Sequence, residues 1–171
     1  MPVFYLDTSA VLKRYRTEAG TDVVDAIYDE RYIPKRPDVL VTSYFTCLEV
    51  ESVASRMFRG KLLDEKSYKA LLNSFARDID HHMTVLAVNS DVIRNAIDET
   101  REYALRPGDS LHAATARLRM DPRDDTVFVC SDKRLLEVVG SDALMRVLNP
   151  ESPDAMEQLY KIRGRRPIDL S

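Results

Sequence analysis

Two aspartates in this 171-residue sequence stand directly after short stretches whose residue pattern predicts buried strands. Asp7 follows the β-prone residues 3–6, and Asp132 comes just after residues 126–130. In an open parallel sheet, ligands bind in the crevice beyond the carboxyl ends of the strands, so acids at these positions are candidates for binding or catalysis. Their carboxylate oxygens are hard ligands of the kind that Mg²⁺ and Mn²⁺ prefer.

The same positions also suit helix caps. Aspartate is preferred at helix N-caps and in first turns, where it satisfies free N–H groups and interacts favourably with the helix dipole. Asp109, directly after Pro107 and Gly108, is open to the same interpretation. The residues themselves therefore leave both roles open for Asp7, Asp109 and Asp132.

A glutamate on the helix after the second predicted strand would project near the same edge of the sheet. Glu49 flanks the apolar stripe of the helix predicted over residues 44–59. Glu51 flanks the other side of that stripe, because successive residues are separated by about 100° around a helix. Periodicity alone does not choose between the two glutamates.

The helix predicted from Asp109 to about residue 120 carries small residues on the face of the acid. Ala113 and Ala116 lie on that face, and His112 lies alongside. Small side chains permit close packing, so the pattern predicts that Asp109 lies deep rather than out in solvent.

Strands alternate with helices along the rest of the chain. Strands are predicted at about residues 3–6, 38–43, 84–88, 126–130 and 144–148, and helices at 8–15, 21–32, 44–59, 91–105, 109–120 and 132–139, with a loop at 34–37 and a helical hairpin at about 64–82. This alternation implies a parallel sheet covered by helices on both faces. Residues 149–171 are richer in proline and charge and are treated as an appendage of uncertain structure.

Composition limits the possible classes of protein. With 44% hydrophobic and 31% charged residues, the chain fits one compact domain. A formal charge of −3 gives no overall basic excess, so nucleic-acid binding would need a local basic patch. Cys47 and Cys130 lie in apolar segments, which predicts buried free thiols and a cytoplasmic location. No apolar run approaches the roughly 20 residues that span a bilayer, and no signal peptide is apparent.

Basic residues fall into three groups that could guide a phosphate-bearing substrate, although a solvated surface is the favoured interpretation of each group. The groups are Lys13, Arg14 and Arg16; Arg56, Arg59 and Lys61; and Arg163, Arg165 and Arg166 in the tail.

Other catalytic arrangements are disfavoured. Ser110 and His112 are two residues apart on a helix and so point to different faces, and no nucleophile-elbow motif is present. His81 and His82 lack the further ligands of a zinc centre. The turn after Asp7 lacks the second aspartate of haloacid-dehalogenase-like phosphatases, and there is no glycine-rich phosphate loop.

Four segments resemble the PIN-domain family, especially the toxin ribonucleases of VapBC-type toxin–antitoxin pairs. Their order and approximate spacing also agree over about residues 3–148, and four matches in sequence make coincidence improbable. The segments are Tyr-Leu-Asp-Thr-Ser-Ala at 5–10, Leu-Glu-Val-Glu-Ser-Val-Ala at 48–54, Gly-Asp-Ser-Leu-His-Ala-Ala-Thr-Ala at 108–116 and Phe-Val-Cys-Ser-Asp-Lys-Arg-Leu at 128–135.

The resemblance implies a fold and a set of site residues. The fold is an α/β, PIN-like three-layer α/β/α sandwich with a central, mainly parallel sheet of four to five strands over residues 1–148, followed by the appendage 149–171. Asp7 and Asp109 become the principal ligands of Mg²⁺ or Mn²⁺, and alignment with the family favours Glu49 over Glu51. The remaining implied site residues are Asp132, with Thr8, Ser9, Ser131 and His112 in supporting positions.

The resemblance also implies an activity and partners. The expected protein is an endoribonuclease that hydrolyses RNA phosphodiester bonds with a metal-activated water. It would be the toxin of a toxin–antitoxin pair, bound by a cognate antitoxin and forming a homodimer. The alternatives are an RNA-processing nuclease without an antitoxin and a catalytically silent RNA-binding domain.

Overall fold

Five short strands form a single parallel sheet. The computed structural model describes residues 2–29, 38–121, 123–141 and 145–164. The strands are β1 (Pro2–Leu6), β2 (Val39–Ser43), β3 (Met83–Leu86), β4 (Asp125–Val129) and β5 (Met145–Leu148). They lie in the order β3-β2-β1-β4-β5, and every neighbouring pair is parallel. The predicted mainly parallel sheet of four to five strands is confirmed.

The order of strands reverses between β1 and β4. From β1 the chain moves outward to β2 and β3, and then crosses back to β4 and β5 on the other side. Leu6 and Val129, the last residues of β1 and β4, are paired in register. The residues that follow these two strands therefore meet at the switch point, where open α/β sheets bind ligands.

Helices connect the strands and cover both faces of the sheet. They are α1 (Thr8–Lys13), α2 (Thr21–Tyr28), α3 (Tyr44–Arg59), α4 (Glu65–His81), α5 (Ser90–Tyr103), α6 (Pro107–Arg119), α7 (Lys133–Gly140) and α8 (Ala155–Ile162). No helix in the described ranges has the length and apolar character needed to cross a membrane.

Several helix boundaries differ from the sequence-based prediction, and the predicted hairpin at about 64–82 is the single helix α4. Helix α2 ends at Tyr28 rather than at residue 32, and the predicted loop at 34–37 lies outside the described residues. Helix α6 begins at Pro107, two residues before the predicted start at Asp109. Proline suits the first turn of a helix because its missing N–H would have no intrahelical partner there. Asp109 is therefore a first-turn residue and not the N-cap.

Alternate side chains along a strand lie in two separate hydrophobic cores, one on each face of the sheet. Phe4 and Leu6 of β1 pack with one face of helices, and Val3 and Tyr5 pack with the other. The first core draws on α1, α2, α3, α4 and α8, and the second on α6 and α7, with α5 packed outside α6. This is the three-layer α/β/α sandwich that the sequence predicts.

The segment after β5 folds back onto the first core. Ala155 and Leu159 of α8 are buried there, and α8 contacts α2 and β5. Arg163 forms a buried ion pair with Asp38, with Nη2 2.5 Å from Oδ2, and donates to the carbonyl of Ala26 at the end of α2. We refer to the Arg163–Asp38 pair as the C-terminal staple.

The staple changes the interpretation of the basic tail. The side chain of Arg163 is only 3% exposed, so it is not available to contact phosphate as the sequence suggested. Arg165 and Arg166 lie outside the described residues.

Lys13 is also buried rather than lining a positive rim. Its ammonium group lies 2.6 Å from Glu151, just after β5, and 3.3 Å from Glu18. Burying an unpaired ammonium would be strongly unfavourable, so both acids serve to neutralise it.

Candidate functional site

Asp7 begins the site at the carboxyl end of β1. The residue is 6% exposed and is the N-cap of α1. Oδ1 accepts hydrogen bonds from the Ser9 hydroxyl at 2.7 Å and from the Ala10 N–H at 2.9 Å, while the Asp7 N–H donates to the Val129 carbonyl at 3.2 Å. Both bonds to the carboxylate use Oδ1. The capping role of Asp7 is therefore real, and Oδ1 carries it.

Ser9 ties the turn after β1 to the turn after β4. Its hydroxyl donates to Asp7 and accepts the N–H of Ser131 at 2.9 Å. The Ser131 hydroxyl is buried close to Glu151, where it joins Lys13 in lowering the pKa of that carboxyl.

Asp132 occupies the matching position after β4. It is the N-cap of α7, where Oδ1 accepts the Leu135 N–H at 3.0 Å, and its side chain is exposed. Asp7 and Asp132 thus cap the two helices that leave the switch point of the sheet.

Asp109 comes to the same edge from α6. It is half-buried, and its pKa is raised by burial and by the negative charges of Asp132 and Asp7, against the opposing effects of His112 and Arg106. The charges of Asp7 and Asp132 thus act on Asp109, although the three aspartates come from three different turns.

Glu49 of α3 turns inward, whereas Glu51 is exposed. Its Oε2 accepts a hydrogen bond from the Thr8 hydroxyl and lies 3.0 Å from Nε2 of His112. Burial opposes the charge on Glu49, but the hydrogen bonds with His112 and Thr8 outweigh it and lower the pKa of this carboxyl. Helix packing thus distinguishes Glu49 from Glu51, which helical periodicity could not do.

Gly108 leaves room for the other oxygen of Glu49. A Cβ atom at residue 108 would lie 3.3 Å from Oε1 of Glu49 and 3.5 Å from the ring of Phe45. Both distances are tight, so the absence of a side chain at residue 108 allows α6 to approach α3 closely beside the acid.

His112 lies beneath Glu49 and is 3% exposed. Its Nδ1 is 3.1 Å from the hydroxyl of Tyr5, and the Phe45 ring packs beside it with centroids 5.4 Å apart. Sequence reasoning missed Tyr5 and Phe45. The available signal for Tyr5 was a hydroxyl in the middle of an otherwise apolar strand, since a buried tyrosine needs a hydrogen-bond partner.

Ser110 and His112 do not form a nucleophile–base pair. The Ser110 hydroxyl lies 2.8 Å from that of Thr100, whereas His112 contacts Tyr5 and Glu49. The two side chains leave α6 in different directions, as expected for residues two positions apart on a helix.

The donor set suits a hard divalent cation, although the acids do not form a closed cage. Within residues 2–29, 38–121, 123–141 and 145–164, no three His, Cys, Asp or Glu side chains are grouped closely enough to hold an ion as they stand. Mg²⁺ does not require such a cage, because it keeps several waters and is usually held by one or two carboxylates together with substrate phosphates. Asp109, on which the charges of Asp132 and Asp7 act, fits that kind of site together with those two aspartates.

Two arginines act on the charges of the acidic edge. Arg56 lowers the pKa of Glu49, and Arg106 opposes the rise in the pKa of Asp109. Arg59 and Lys61 are exposed at the end of α3, whereas Arg14 pairs with Asp25 at 2.7 Å. The second basic group is thus more available to a substrate than the first.

A parallel α/β/α sandwich with interacting acids at its switch point defines a recognisable class of domain. The family model described as the PIN domain matches residues 4–140, and the chain belongs to this family. A search of curated proteins finds no match.

Several solved structures share the fold. FitAcB from Neisseria gonorrhoeae is 18% identical, with a TM-score of 0.62 and coverage of 86% of this chain and 98% of that one. DNA-bound VapBC from Salmonella typhimurium is 17% identical, with a TM-score of 0.59 and coverage of 88% and 99%. A toxin–antitoxin complex from Klebsiella pneumoniae is 16% identical, with a TM-score of 0.51 and coverage of 85% and 96%. At these identities the likeness establishes a common fold.

Proposed function

We propose that this chain is a metal-dependent endoribonuclease that hydrolyses RNA phosphodiester bonds and acts as the toxin of a toxin–antitoxin pair. The observation that carries the proposal is the interaction of three aspartates at the switch point, where burial and the charges of Asp132 and Asp7 raise the pKa of Asp109. Placing like charges together is unfavourable unless a cation or a shared proton compensates them. A divalent cation provides that compensation.

The residues that would hold the ion are those with oxygen atoms directed to this edge. Asp7 and Asp109 are the proposed ligands, and Glu49 and Asp132 act directly or through water. Bound Mg²⁺ or Mn²⁺ supplies Lewis-acid stabilisation of the phosphate and lowers the pKa of a water that attacks it.

The chain itself orients these acids. Ser9 and the Ala10 N–H fix one oxygen of Asp7, so its second oxygen keeps a constant direction. Thr8 and His112 engage Oε2 of Glu49, which leaves Oε1 as a proton acceptor at the site. Holding the groups in place before substrate arrives lowers the reorganisation needed during the reaction.

RNA would reach the acidic edge by way of the cations that border it. Arg56 and Arg106 act on the charges of the site, and Arg59 and Lys61 extend the positive surface along α3. Phosphate neutralisation of this kind is sequence-independent and sensitive to salt.

The proposed partners are a cognate antitoxin and a second copy of the chain. The structural neighbours include a complex described as toxin–antitoxin, which supports this part of the proposal. Tyr44 and Leu48, one turn apart on α3, are each nearly two-thirds exposed and provide apolar surface for a partner. A cytoplasmic site of action belongs to the same proposal and agrees with the free thiols of Cys47 and Cys130.

The test is Asp7→Asn with Asp64→Asn as its matched control. Asp64 is also an N-cap, accepting the Ser67 N–H at 2.7 Å, but belongs to α4 and is not among the proposed site residues. Asparagine caps helices as well as aspartate does, so both variants should fold.

Asp7→Asn should lower Mg²⁺- or Mn²⁺-dependent cleavage of single-stranded RNA about 100-fold or more, and Asp64→Asn should leave it unchanged. Equal cleavage by the wild type and Asp7→Asn would overturn the assignment. RNA binding without cleavage by the wild type would favour the silent RNA-binding alternative, and lack of a neighbouring antitoxin-like reading frame would favour the processing nuclease.

A further inference from the structure

A chain of polar groups runs from the centre of the sheet to Glu49. The Tyr5 hydroxyl lies 3.1 Å from Nδ1 of His112, and Nε2 of the same ring lies 3.0 Å from Oε2 of Glu49 and 3.3 Å from the Thr8 hydroxyl. These residues come from β1, α6, α3 and α1. Tyr5 is fully buried and stacks on Phe128, with ring centroids 5.2 Å apart.

Donor and acceptor rules fix one of the protons in this chain. An ionised carboxylate only accepts hydrogen bonds, so Nε2 of His112 must carry a hydrogen toward Glu49. A tyrosine phenol keeps its proton at neutral pH, since its ordinary pKa is about 10. The Tyr5 hydroxyl can therefore donate to Nδ1, which leaves the ring hydrogen on Nε2.

We propose that Tyr5 and His112 are positioning residues that hold the Glu49 carboxylate with Oε2 turned into the fold and Oε1 presented to the site. Tyr5 fixes the ring of His112 as the Nε2–H tautomer, and His112 fixes the carboxylate. This inference rests on the proposed function only where it concerns metal binding and catalysis. The proton arrangement itself does not depend on that function.

The surroundings of Glu49 agree with a fixed rather than a mobile carboxylate. Phe45 packs against the ring of His112, and the Cα of Gly108 approaches so closely that a side chain there would crowd Oε1. A long acidic side chain on a helix usually keeps several rotamers, and hydrogen bonds from other elements restrict that freedom. Partners that orient a metal-binding group commonly alter metal affinity or activity about 10–100-fold when they are removed.

The first experiment measures the tautomer of His112 by ¹⁵N NMR in metal-free protein. The wild type should show a neutral ring protonated at Nε2, and Tyr5→Phe should shift the ring away from a single tautomer because Nδ1 loses its donor. The matched control is Tyr15→Phe, which also removes a tyrosine hydroxyl that donates to a side chain, Asp78 at 2.8 Å, but outside the proposed site.

The second experiment titrates Mn²⁺ alone into each variant and measures Kd. Tyr5→Phe should raise Kd several-fold and lower kcat while leaving KM for RNA nearly unchanged, and His112→Leu should raise Kd about 10-fold or more. His112→Gln retains an N–H that can reach Glu49, so it should recover part of the loss. Tyr15→Phe should match the wild type in both measurements.

Failure of this inference differs from failure of the proposed function. A Tyr5→Phe variant that matches the wild type in ring tautomer and in Mn²⁺ affinity overturns the positioning role, as does a wild-type ring protonated at Nδ1. A wild type that binds no Mn²⁺ overturns the proposed metal site instead. In that case, the His112 tautomer in the wild type and in Tyr5→Phe is the remaining test of whether Tyr5 fixes the ring.

Discussion

Two regions of this molecule bury charge in opposite ways. At the C-terminal staple, the guanidinium of Arg163 meets the carboxylate of Asp38, and both side chains are at most 5% exposed. At the carboxyl edge of the sheet, no lysine or arginine whose side chain the structure describes forms an ion pair with Asp7, Asp109 or Asp132. The first region balances its charge within the protein, and the second keeps an excess of negative charge.

The difference shows how burial can separate a structural role from a functional one. A charge taken out of water is tolerated when a well-placed opposite charge and hydrogen bonds compensate it. The staple meets that requirement and fastens the segment after β5 to the first core. The edge does not, and burial together with the charges of Asp132 and Asp7 keeps the pKa of Asp109 raised.

The largest expected effect is on the free energy of unfolding, when the C-terminal staple is broken. Arg163→Met leaves Asp38 buried without its partner and should lower the free energy of unfolding by about 3–5 kcal/mol. Urea unfolding measures this loss. Replacing both residues, as Arg163→Met with Asp38→Asn, should cost less because no charge remains unpaired.

The control for the staple is an exposed ion pair on α8, the helix that ends directly before Arg163. Lys161 pairs with Glu157 at 2.7 Å, but both side chains are more than half exposed. Lys161→Met should therefore lower stability by no more than about 0.5 kcal/mol. If Arg163→Met and Lys161→Met gave equal losses, the structural half of the comparison would be wrong.

The next effect concerns stabilisation by metal at the acidic edge. Mn²⁺ at 100 times its Kd should stabilise the wild type by about 2.7 kcal/mol, because it binds the folded state. At the same concentration, Asp109→Asn should gain about 1 kcal/mol or less. Thermal unfolding with and without Mn²⁺ measures both values.

The control for metal stabilisation is Asp98→Asn, which neutralises an exposed aspartate of α5. It should respond to Mn²⁺ like the wild type. Equal stabilisation of the wild type and Asp109→Asn would count against Asp109 as a ligand.

The smallest expected effect is on the free energy of unfolding of the metal-free protein, which the raised pKa of Asp109 lowers. Since the folded-state pKa of Asp109 is raised, the folded protein binds its proton more tightly than the unfolded chain does. Stability is therefore lost as pH rises from the ordinary pKa of this carboxyl through its folded value. At neutral pH, metal-free Asp109→Asn should be more stable than the wild type by about 0.5 kcal/mol after solvent screening.

The pH dependence provides the check on that last prediction. The difference between Asp109→Asn and the wild type should vanish at acid pH, where the carboxyl is protonated in both the folded and unfolded states. A lower stability of Asp109→Asn at neutral pH would mean that Asp109 is compensated within the protein, and the contrast with the staple would fail.

The positions of the acids after their strands could be read from the sequence, but their surroundings could not. Asp7 and Asp132 were expected after β1 and β4, and they lie there as helix caps. Glu49 and Glu51 were equivalent by periodicity, yet only Glu49 faces Thr8 and His112. Helical spacing defines a direction around one helix, whereas the neighbour in that direction depends on how the helices pack.

Burial of charged side chains was the least predictable property. The pattern of residues assigned Lys13 and Arg163 to positive surfaces, but the structure buries both beside acids far away in the chain, Glu151 and Asp38. A charged residue adjacent to apolar positions is usually solvent-exposed, and the exception arises only when a distant segment brings an opposite charge. The segment after β5 brings Glu151 and Arg163 into these contacts.

The sequence by itself determined the parallel sheet, the two helical layers and the acids that follow β1 and β4, because strand and helix periodicities and turn residues act over a few neighbouring positions. Tertiary structure decided which glutamate turns inward, which cations are neutralised and which hydroxyl meets His112. The last contact joins Tyr5 to a residue 107 positions away. Contacts over such distances depend on the packing of whole elements, which no local pattern specifies.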